Sequence, residues 1–190
     1  MLHNAVILAG GKSSRMGEDK ALLPFGAYST MAEFQYNKLQ KIFPNVYISA
    51  KENKFDFDAK VILDRYKESS PMVAIASILE ELQEDFFLLS VDMPLLSIGA
   101  IEKLVEAYNR ENFYEVYLLK SPNGLEPTAA IYTTKIAATI EEFLKRKSYK
   151  LMNFLNTSKI KIVEWESEKD FVNLNYKEEY LYIKELINVK

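Results

Sequence analysis

The chain has 190 residues, 48% of them hydrophobic and 27% charged, with a formal net charge of −3 and a pI near 5.4. This length suits one large domain, and the slightly negative charge gives no general attraction to nucleic acid, so no nucleic-acid partner is expected. The sequence has no cysteine, which excludes disulfides, thiolate metal sites and a cysteine nucleophile.

Seven apolar runs predict buried parallel strands, and helical patterns lie between them. In chain order the strands are expected at 4–9, 45–50, 60–64, 86–91, 114–120, 127–133 and 160–165. Helices are expected at 30–43, along the apolar stripe of 75–82, along the stripe of 98–108, and at 176–188. This alternation predicts a single α/β domain over residues 1–190 with a doubly wound, mostly parallel sheet. Such folds bind ligands beyond the carboxyl ends of their strands.

The first predicted strand leads into the loop ILAGGKSSRMGEDKALL, from Ile7 to Leu23. Gly11-Lys12-Ser13 resembles the end of a Walker A motif, but the glycine which that motif requires five residues earlier is Val6. The dinucleotide fingerprint G-x-G-x-x-G also fails, because Gly10 and Gly11 are adjacent and the next glycine is Gly17. Neither of these phosphate-binding motifs is therefore present.

The same loop still has the chemistry of a polyphosphate-binding site. Its adjacent glycines let the backbone turn sharply and come close to a ligand. Three cations, Lys12, Arg15 and Lys20, stand against Glu18 and Asp19, so residues 10–20 carry a net charge of +1 in a negative protein. The alternative is a solvated turn whose charges face water, and the residue types alone leave both interpretations open.

Polar residues at strand ends give further candidates. Asp92 follows the apolar run 86–91 and is expected at the ligand-binding edge, where a carboxylate suits Mg²⁺; the alternative is a helix cap, for which Ser97 is better placed. Asp64 ends the third strand, although strand-end aspartates also occur in turns. Asn173 and Asn175 alternate along an extended segment and could point the same way, although amides also satisfy ordinary loops.

Other types of chemistry are not expected. His3 is the single histidine and lies near the N-terminus, which argues against Ser-His-Asp catalysis and polyhistidine metal sites. No apolar run approaches the roughly 18 to 20 residues of a membrane span, and the N-terminus has no basic signal region. We therefore expect a cytoplasmic protein without a membrane partner, which works through carboxylates, cations, amides and backbone groups.

The segment L-A-G-G-x-S-x-R-M-G-x-D-K, Leu8 to Lys20, resembles the signature loop of nucleotidyltransferases with the Rossmann-like nucleotide-diphosphosugar transferase fold. It is most similar to the molybdenum cofactor guanylyltransferases of the MobA family. Further segments resemble that family in the same order, over about residues 8–180: VILDRY, LLSVDMPLL, LEPTAAIY and FVNLNYKEEY. The shared order makes coincidence a poor explanation.

The resemblance implies roles for individual residues. The cations Lys20 and Arg15 would hold phosphates, and Asp92 would bind Mg²⁺, so these three form the catalytic set. The substrate-binding set is Leu8, Ala9, Gly10, Gly11, Lys12, Lys20, Lys51, Asp64, Asp92, Asn173 and Asn175. GTP and molybdopterin would be the substrates, and other enzymes that make or accept the molybdenum cofactor are candidates for further partners.

The implied reaction is transfer of GMP from GTP to the terminal phosphate of molybdenum-loaded molybdopterin, with release of pyrophosphate. Two departures from the family pattern bear on it. Residues 70–74 read SPMVA where the family usually has G-P-L-A-G, and Lys51 replaces a frequent asparagine. The alternatives are a cytidylyltransferase or sugar-1-phosphate nucleotidyltransferase, and a non-catalytic nucleotide-binding module, which the altered 70–74 segment favours.

Overall fold

A computed structural model describes residues 1–10 and 17–188 of the chain. Seven strands were found, at Asn4–Leu8 (β1), Asn45–Ala50 (β2), Lys60–Leu63 (β3), Phe86–Ser90 (β4), Val116–Ser121 (β5), Gly124–Tyr132 (β6) and Ile160–Glu164 (β7). The α-helices are Met31–Leu39 (α1), Pro71–Leu82 (α2), Ile98–Arg110 (α3), Ala137–Lys145 (α4), Leu151–Leu155 (α5) and Lys177–Asn188 (α6). All seven predicted strands are confirmed, with shifts of up to three residues at their ends.

The strands form one sheet in the order β3-β2-β1-β4-β6-β5-β7. Strand β1 pairs in parallel with β2 and with β4, and β3 continues the parallel group beside β2. Strand β6 is antiparallel to both β4 and β5, whereas β5 and β7 are parallel. A mostly parallel sheet is therefore confirmed.

The expectation of a parallel strand at 127–133 is wrong, because the connection between β5 and β6 is too short for a parallel pair. Strand β5 ends at Ser121 and β6 begins at Gly124, so only two residues lie between them. A parallel connection needs a crossover of a dozen or more residues, whereas a two-residue turn suits a hairpin. Gly124 has a φ of +139°, and Asn123 donates its backbone N–H to Ser121 Oγ at 3.1 Å inside the turn.

Helices cover both faces of the sheet, as a doubly wound fold requires. Buried residues of α1, α3 and α6 pack with Ala5 and Ile7 of β1 on one face. Buried residues of α2, α4 and α5 pack with Val6 and Leu8 on the other. The predicted helices are confirmed, although α1 ends at Leu39 instead of extending to residue 43. Helices α4 and α5 were not predicted.

The parallel strands β1, β3 and β4 bring three loop starts to one edge of the sheet. Gly10 lies two residues beyond β1, Asp64 directly follows β3, and Asp92 lies two residues beyond β4. Within the part of the chain that the structure describes, no helix is long and apolar enough to cross a bilayer. The sheet thus places the predicted site residues at its carboxyl edge.

Candidate active site

A cleft lies at the carboxyl ends of β1 and β4. Its volume is about 240 Å³, and we call it the Asp92 cleft; its walls are Leu8, Ala9, Gly10, Asp19, Lys20, Ala21, Pro71, Ser90, Val91, Asp92 and Thr128. A second hollow of about 290 Å³, the Asp64 cleft, adjoins it and is lined by Leu8, Gly10, Asp64, Ser69, Ser70, Pro71 and Ala74. The two share Leu8, Gly10 and Pro71, so an elongated ligand could extend across both.

Lys20 is the main cation of the described walls of the Asp92 cleft. Its Nζ lies 3.3 Å from Asp92 Oδ2 and donates to Asn175 Oδ1 at 2.8 Å. The Lys20 side chain is 13% exposed and that of Asp92 is 22% exposed, so their attraction is less screened than that of a surface pair. Three of the predicted site residues, from three distant segments, therefore meet here.

The carboxylate of Asp92 is oriented by its neighbours and does not cap a helix. Ser90 donates its hydroxyl to Asp92 Oδ1 at 2.5 Å, and the Asp92 carbonyl accepts the Leu174 N–H at 2.9 Å. Helix α3 is capped by Ser97, whose Oγ accepts the Ala100 N–H at 3.3 Å, as the sequence predicted. The Asp92 carboxylate is thus directed at the cleft.

Helix α1 holds the loop that follows Asp92. Gln35, which is fully buried, donates to the Met93 carbonyl at 3.0 Å. Lys38 donates to the carbonyls of Pro94 and Leu96, each at 3.0 Å. Burial lowers the pKa of Lys38 to about 7, and the negative charge of Asp170 opposes that shift only in part. The loop is therefore fixed from α1 by two polar side chains.

Asp170 anchors the same loop at its far end. Its carboxylate accepts hydrogen bonds from Ser97, from Ser167 Oγ at 2.7 Å and from Trp165 Nε1 at 2.9 Å. Burial would raise the pKa of Asp170, but these hydrogen bonds outweigh it and the pKa falls below its ordinary value. The Trp165 ring lies 3.5 Å from the position of a Cβ on Gly99, so it packs against the start of α3.

Asp64 forms the polar wall of the Asp64 cleft beside Gly10. Its Oδ1 accepts from Ser49 Oγ at 3.1 Å, and its backbone N–H donates to the Ala50 carbonyl at 2.9 Å. A Cβ on Gly10 would lie 3.3 Å from Asp64 Oδ2, so glycine leaves the space directly in front of this oxygen open. The carboxylate can therefore reach a ligand that passes close to the backbone.

Backbone groups after β1 are partly engaged within the protein. The Leu8 carbonyl accepts the Val91 N–H at 3.1 Å, and the Ala9 N–H donates to the Ser49 carbonyl at 2.9 Å. The Ala9 carbonyl accepts from Lys54 Nζ at 3.3 Å. A carbonyl can accept a second hydrogen bond, whereas an N–H has one to give. The Ala9 N–H is thus committed to the sheet, and ligand contacts from Leu8 and Ala9 would come through their carbonyls.

Other predicted site residues are placed away from these contacts. Lys51 is exposed and donates to the Lys67 carbonyl at 3.3 Å, and neither Lys51 nor Asn173 is among the residues that line the two clefts. Asn173 donates to the Phe171 carbonyl at 3.4 Å, whereas Asn175 reaches Lys20. Gly11, Lys12 and Arg15 lie outside the described residues.

Several residues at the site were not predicted from the sequence. Ser90 stands two positions before Asp92 at the end of β4, and that spacing in an extended segment could have indicated it. Lys54 pairs with Asp19, and Thr128 lines the Asp92 cleft. Neither Lys54 nor Thr128 has a local signal, because only the folding of the sheet brings Thr128 to the cleft and Lys54 to Asp19.

Comparison with known proteins identifies the family. The family model for the MobA-like NTP transferase domain matches residues 5–161. A molybdenum cofactor guanylyltransferase from Campylobacter jejuni subsp. doylei is 41% identical over 180 residues, which cover 93% of both chains. The chain belongs to the MobA-like NTP transferase family. A Helicobacter pylori relative with the same name, molybdenum cofactor guanylyltransferase, is 33% identical over 92% of this chain and 88% of its own. The predicted family and the prediction of a nucleotidyltransferase enzyme are therefore confirmed.

Solved structures agree on the MobA-like fold. Molybdopterin-guanine dinucleotide biosynthesis protein A from Archaeoglobus fulgidus superposes with a TM-score of 0.81 at 18% identity, covering 98% of this chain and all of that one. A 2-C-methyl-D-erythritol 4-phosphate cytidylyltransferase from Thermus thermophilus superposes with a TM-score of 0.70 at 14% identity, covering 98% and 99%. The predicted fold class is confirmed, and the fold alone does not select a base.

The altered segment 70–74 has a structural role in this MobA-like chain. Ser70 caps α2, with its Oγ accepting the Val73 N–H at 3.3 Å, and Pro71 occupies the first helical turn. Both residues line the Asp64 cleft. Serine and proline at these two positions are typical of a helix start, so the loss of two glycines leaves the helix at the cleft intact.

The potential metal ligands at Asp92 suit Mg²⁺ better than they suit a metal that is coordinated by several protein side chains. Among the described residues, no group of three or more histidine, aspartate or glutamate side chains could enclose an ion. Mg²⁺ typically keeps several waters and takes one or two carboxylates plus substrate phosphates. One oriented carboxylate beside the Lys20 ammonium, in a cleft open to a ligand, is consistent with that type of coordination.

Proposed function

We propose that this chain transfers GMP from GTP to the terminal phosphate of molybdenum-loaded molybdopterin, releasing pyrophosphate and forming molybdopterin guanine dinucleotide. The observation that carries the proposal is the position of Lys20, held between Asp92 and Asn175 at the edge of the sheet where Gly10 faces Asp64. The relatives' names support the same reaction.

In this proposal the triphosphate lies in the Asp92 cleft. A phosphate oxygen of molybdopterin attacks the α-phosphorus of GTP, and the bond from that phosphorus to the oxygen of the β-phosphate breaks. The attacking group is already an anion, so no general base is needed, in keeping with the lack of a histidine at the cleft. Lys20, together with Arg15, holds phosphate oxygens and neutralises their charge.

Asp92 is the residue that would hold Mg²⁺. A bound Mg²⁺ would neutralise phosphate charge and polarise the reacting phosphoryl group. Ser90 fixes one oxygen of Asp92 by its hydrogen bond, and α1 fixes the loop behind it through Gln35 and Lys38. Asp92 would thus supply one oriented carboxylate and leave the remaining coordination to phosphates and water.

The guanine base is assigned to the Asp64 cleft. Guanine presents N1–H and an exocyclic amine as adjacent donors, which suit the two oxygens of a carboxylate. Cytosine and adenine place an acceptor nitrogen beside their amine, and that acceptor would face Asp64 without a proton between them. Leaving one or two buried polar groups unpaired costs about 1–3 kcal/mol each, so we expect a preference for GTP of very roughly a hundredfold.

A competition assay tests the proposal. GTP, CTP and ATP are offered at equal concentration with molybdopterin and saturating Mg²⁺, and the dinucleotide products are separated and counted. We expect guanine dinucleotide with pyrophosphate release, and a weaker base preference in Asp64→Asn. Asp58→Asn, at an exposed aspartate between β2 and β3, should keep the wild-type preference.

Each alternative predicts a different result. A cytosine dinucleotide as main product would assign the chain to the cytidylyltransferases. Product formed from a sugar 1-phosphate but not from molybdopterin would assign it to sugar-nucleotide synthesis. Nucleotide binding without pyrophosphate release from any acceptor would indicate a non-catalytic module.

A further inference from the structure

Lys54 joins two parts of the cleft wall that are distant from it in sequence. Its Nζ donates to the Ala9 carbonyl at 3.3 Å and also bonds to Asp19 Oδ2. Ala9 directly follows β1, and Asp19 directly precedes Lys20, while Lys54 lies between β2 and β3. We call Ala9, Asp19 and Lys54 the Lys54 clasp.

The clasp is sheltered from solvent. The side chain of Lys54 is 19% exposed and that of Asp19 is 32% exposed, so the ion pair is screened less than a surface pair. The ammonium also lies 5.8 Å from the centre of the Phe55 ring, which is 9% exposed and packs in the core. A cation so placed gains from the ring as well as from the carboxylate. The position of Lys54 is therefore fixed by three groups.

The clasp connects directly to the turn that carries Lys20. Asp19 uses its second oxygen, Oδ1, to accept the Ala21 N–H at 3.0 Å, which caps the short 3₁₀ turn Lys20–Leu22. Ala9 is itself fixed to β2 through its N–H on the Ser49 carbonyl. The path from the sheet to the Lys20 turn thus runs through Ala9, Lys54 and Asp19 in sequence.

We propose that Lys54 is a positioning residue for nucleotide binding, which acts through Lys20. It holds the Lys20 turn against the end of β1, so that the Lys20 ammonium stays 2.8 Å from Asn175 and 3.3 Å from Asp92 at the cleft. Lys54 does not line either cleft. The inference rests on the proposed function, because Lys20 is assigned there to the phosphates.

The experiment is a cycle of variants measured by GTP binding in the presence of Mg²⁺ and by steady-state turnover. Lys54→Met keeps the aliphatic stem and removes the charge, and Lys54→Arg restores it. Each is compared with Lys60→Met, at an exposed lysine in β3 that lies six positions after Lys54. Thermal unfolding of each variant reports whether the fold is kept.

We expect Lys54→Met to weaken GTP binding about tenfold and to raise KM for GTP by a similar factor, with kcat changed less than about threefold. Lys54→Arg should recover affinity to within about threefold of wild type, and Lys60→Met should match wild type. In a Lys20→Ala background, Lys54→Met should have no further effect on GTP affinity, because its route of action is gone.

The outcomes separate the two proposals. Suppose that wild type binds GTP and that folded Lys54→Met binds it equally well. This result would refute the role of Lys54 and leave the proposed function standing. An equal loss in the wild-type and Lys20→Ala backgrounds also refutes it, because Lys54 would then act independently of Lys20. If wild type prefers CTP or ATP, the proposed reaction is wrong, and the same cycle run with the preferred nucleotide decides the role of Lys54. If wild type binds no nucleotide, both proposals fail.

Discussion

Lys38 provides a pH-dependent contribution to stability whose sign and size follow from its surroundings. Burial lowers its pKa from 10.5 to about 7 in the folded protein, while its amine stays bonded to the Pro94 and Leu96 carbonyls. In the unfolded chain the amine keeps its ordinary pKa. Between these two pH values the unfolded state binds more protons than the folded state, so the free energy of unfolding rises with pH. Lys38→Met removes the titrating amine and should remove this rise.

The magnitude follows from the size of the shift. A change from 10.5 to about 7 is worth at most ~5 kcal/mol across the whole interval. The upper part of this pH interval cannot be used to measure the effect of Lys38. Burial raises the pKa of Tyr108 and Tyr132 in the folded protein, so above about pH 10 the tyrosines of the unfolded chain ionise before these two do. Between pH 7 and about 9.5, Lys38 alone should contribute about 3 kcal/mol.

The assay is urea unfolding followed by circular dichroism at several pH values from 7 to about 9.5, at constant ionic strength. The wild-type free energy of unfolding should rise by about 3 kcal/mol relative to Lys38→Met over this range. Lys41→Met removes an exposed lysine just beyond α1 and should follow wild type. Parallel curves for wild type and Lys38→Met would refute the reasoning, because the amine would then titrate alike in the folded and unfolded states.

Two further predictions concern the cleft. Lys20→Ala should weaken GTP binding by about tenfold or more in calorimetry, because a charge-assisted bond to phosphate is lost. Circular dichroism should show that the variant is folded, and Lys41→Ala should bind as wild type does. Equal affinity would remove Lys20 from the phosphate site. Asp92→Asn should reduce turnover at saturating Mg²⁺ by about a hundredfold or more and should weaken the Mg²⁺ dependence of GTP binding. Asp58→Asn serves as the control and should behave as wild type does. Near-normal turnover of Asp92→Asn would give Asp92 a structural role only.

The central strands β1 and β4 could be predicted because each is an apolar run buried on both faces of the sheet. Residues 86–89, for example, are all fully buried, and the run FFLL has no polar interruption. The direction of β6 could not be deduced from its own residues, because the run 127–133 reads like the parallel strands. Its direction depends on the short turn before it, at Pro122 and Asn123. Helix α5 has five residues, too few to show a helical period, and α4 is also short, with nine residues.

The sequence also indicated part of the site, for a physical reason. Lys20, Asp64 and Asp92 lie in the connections that follow β1, β3 and β4, which all belong to the parallel group β3-β2-β1-β4, so position in the chain sufficed to bring them to one edge. Lys54 and Gln35 could not be found in this way. Their roles depend on which backbone carbonyl each side chain reaches, and those contacts span 45 and 58 positions of sequence.

The C-terminal segment completes the described cleft, although the family model matches only residues 5–161. Leu174 bonds to the backbone of Asp92, and Asn175 reaches Lys20 across 155 positions of sequence. Glu179, at the start of α6, accepts the backbone N–H of Asn175 at 2.8 Å, and Tyr180 donates its hydroxyl to the Pro24 carbonyl, just beyond the Lys20 turn. Docking of α6 therefore positions both the amide that holds Lys20 and the backbone that holds Asp92. The geometry of the candidate site thus depends on a segment beyond the residues that the family model matches.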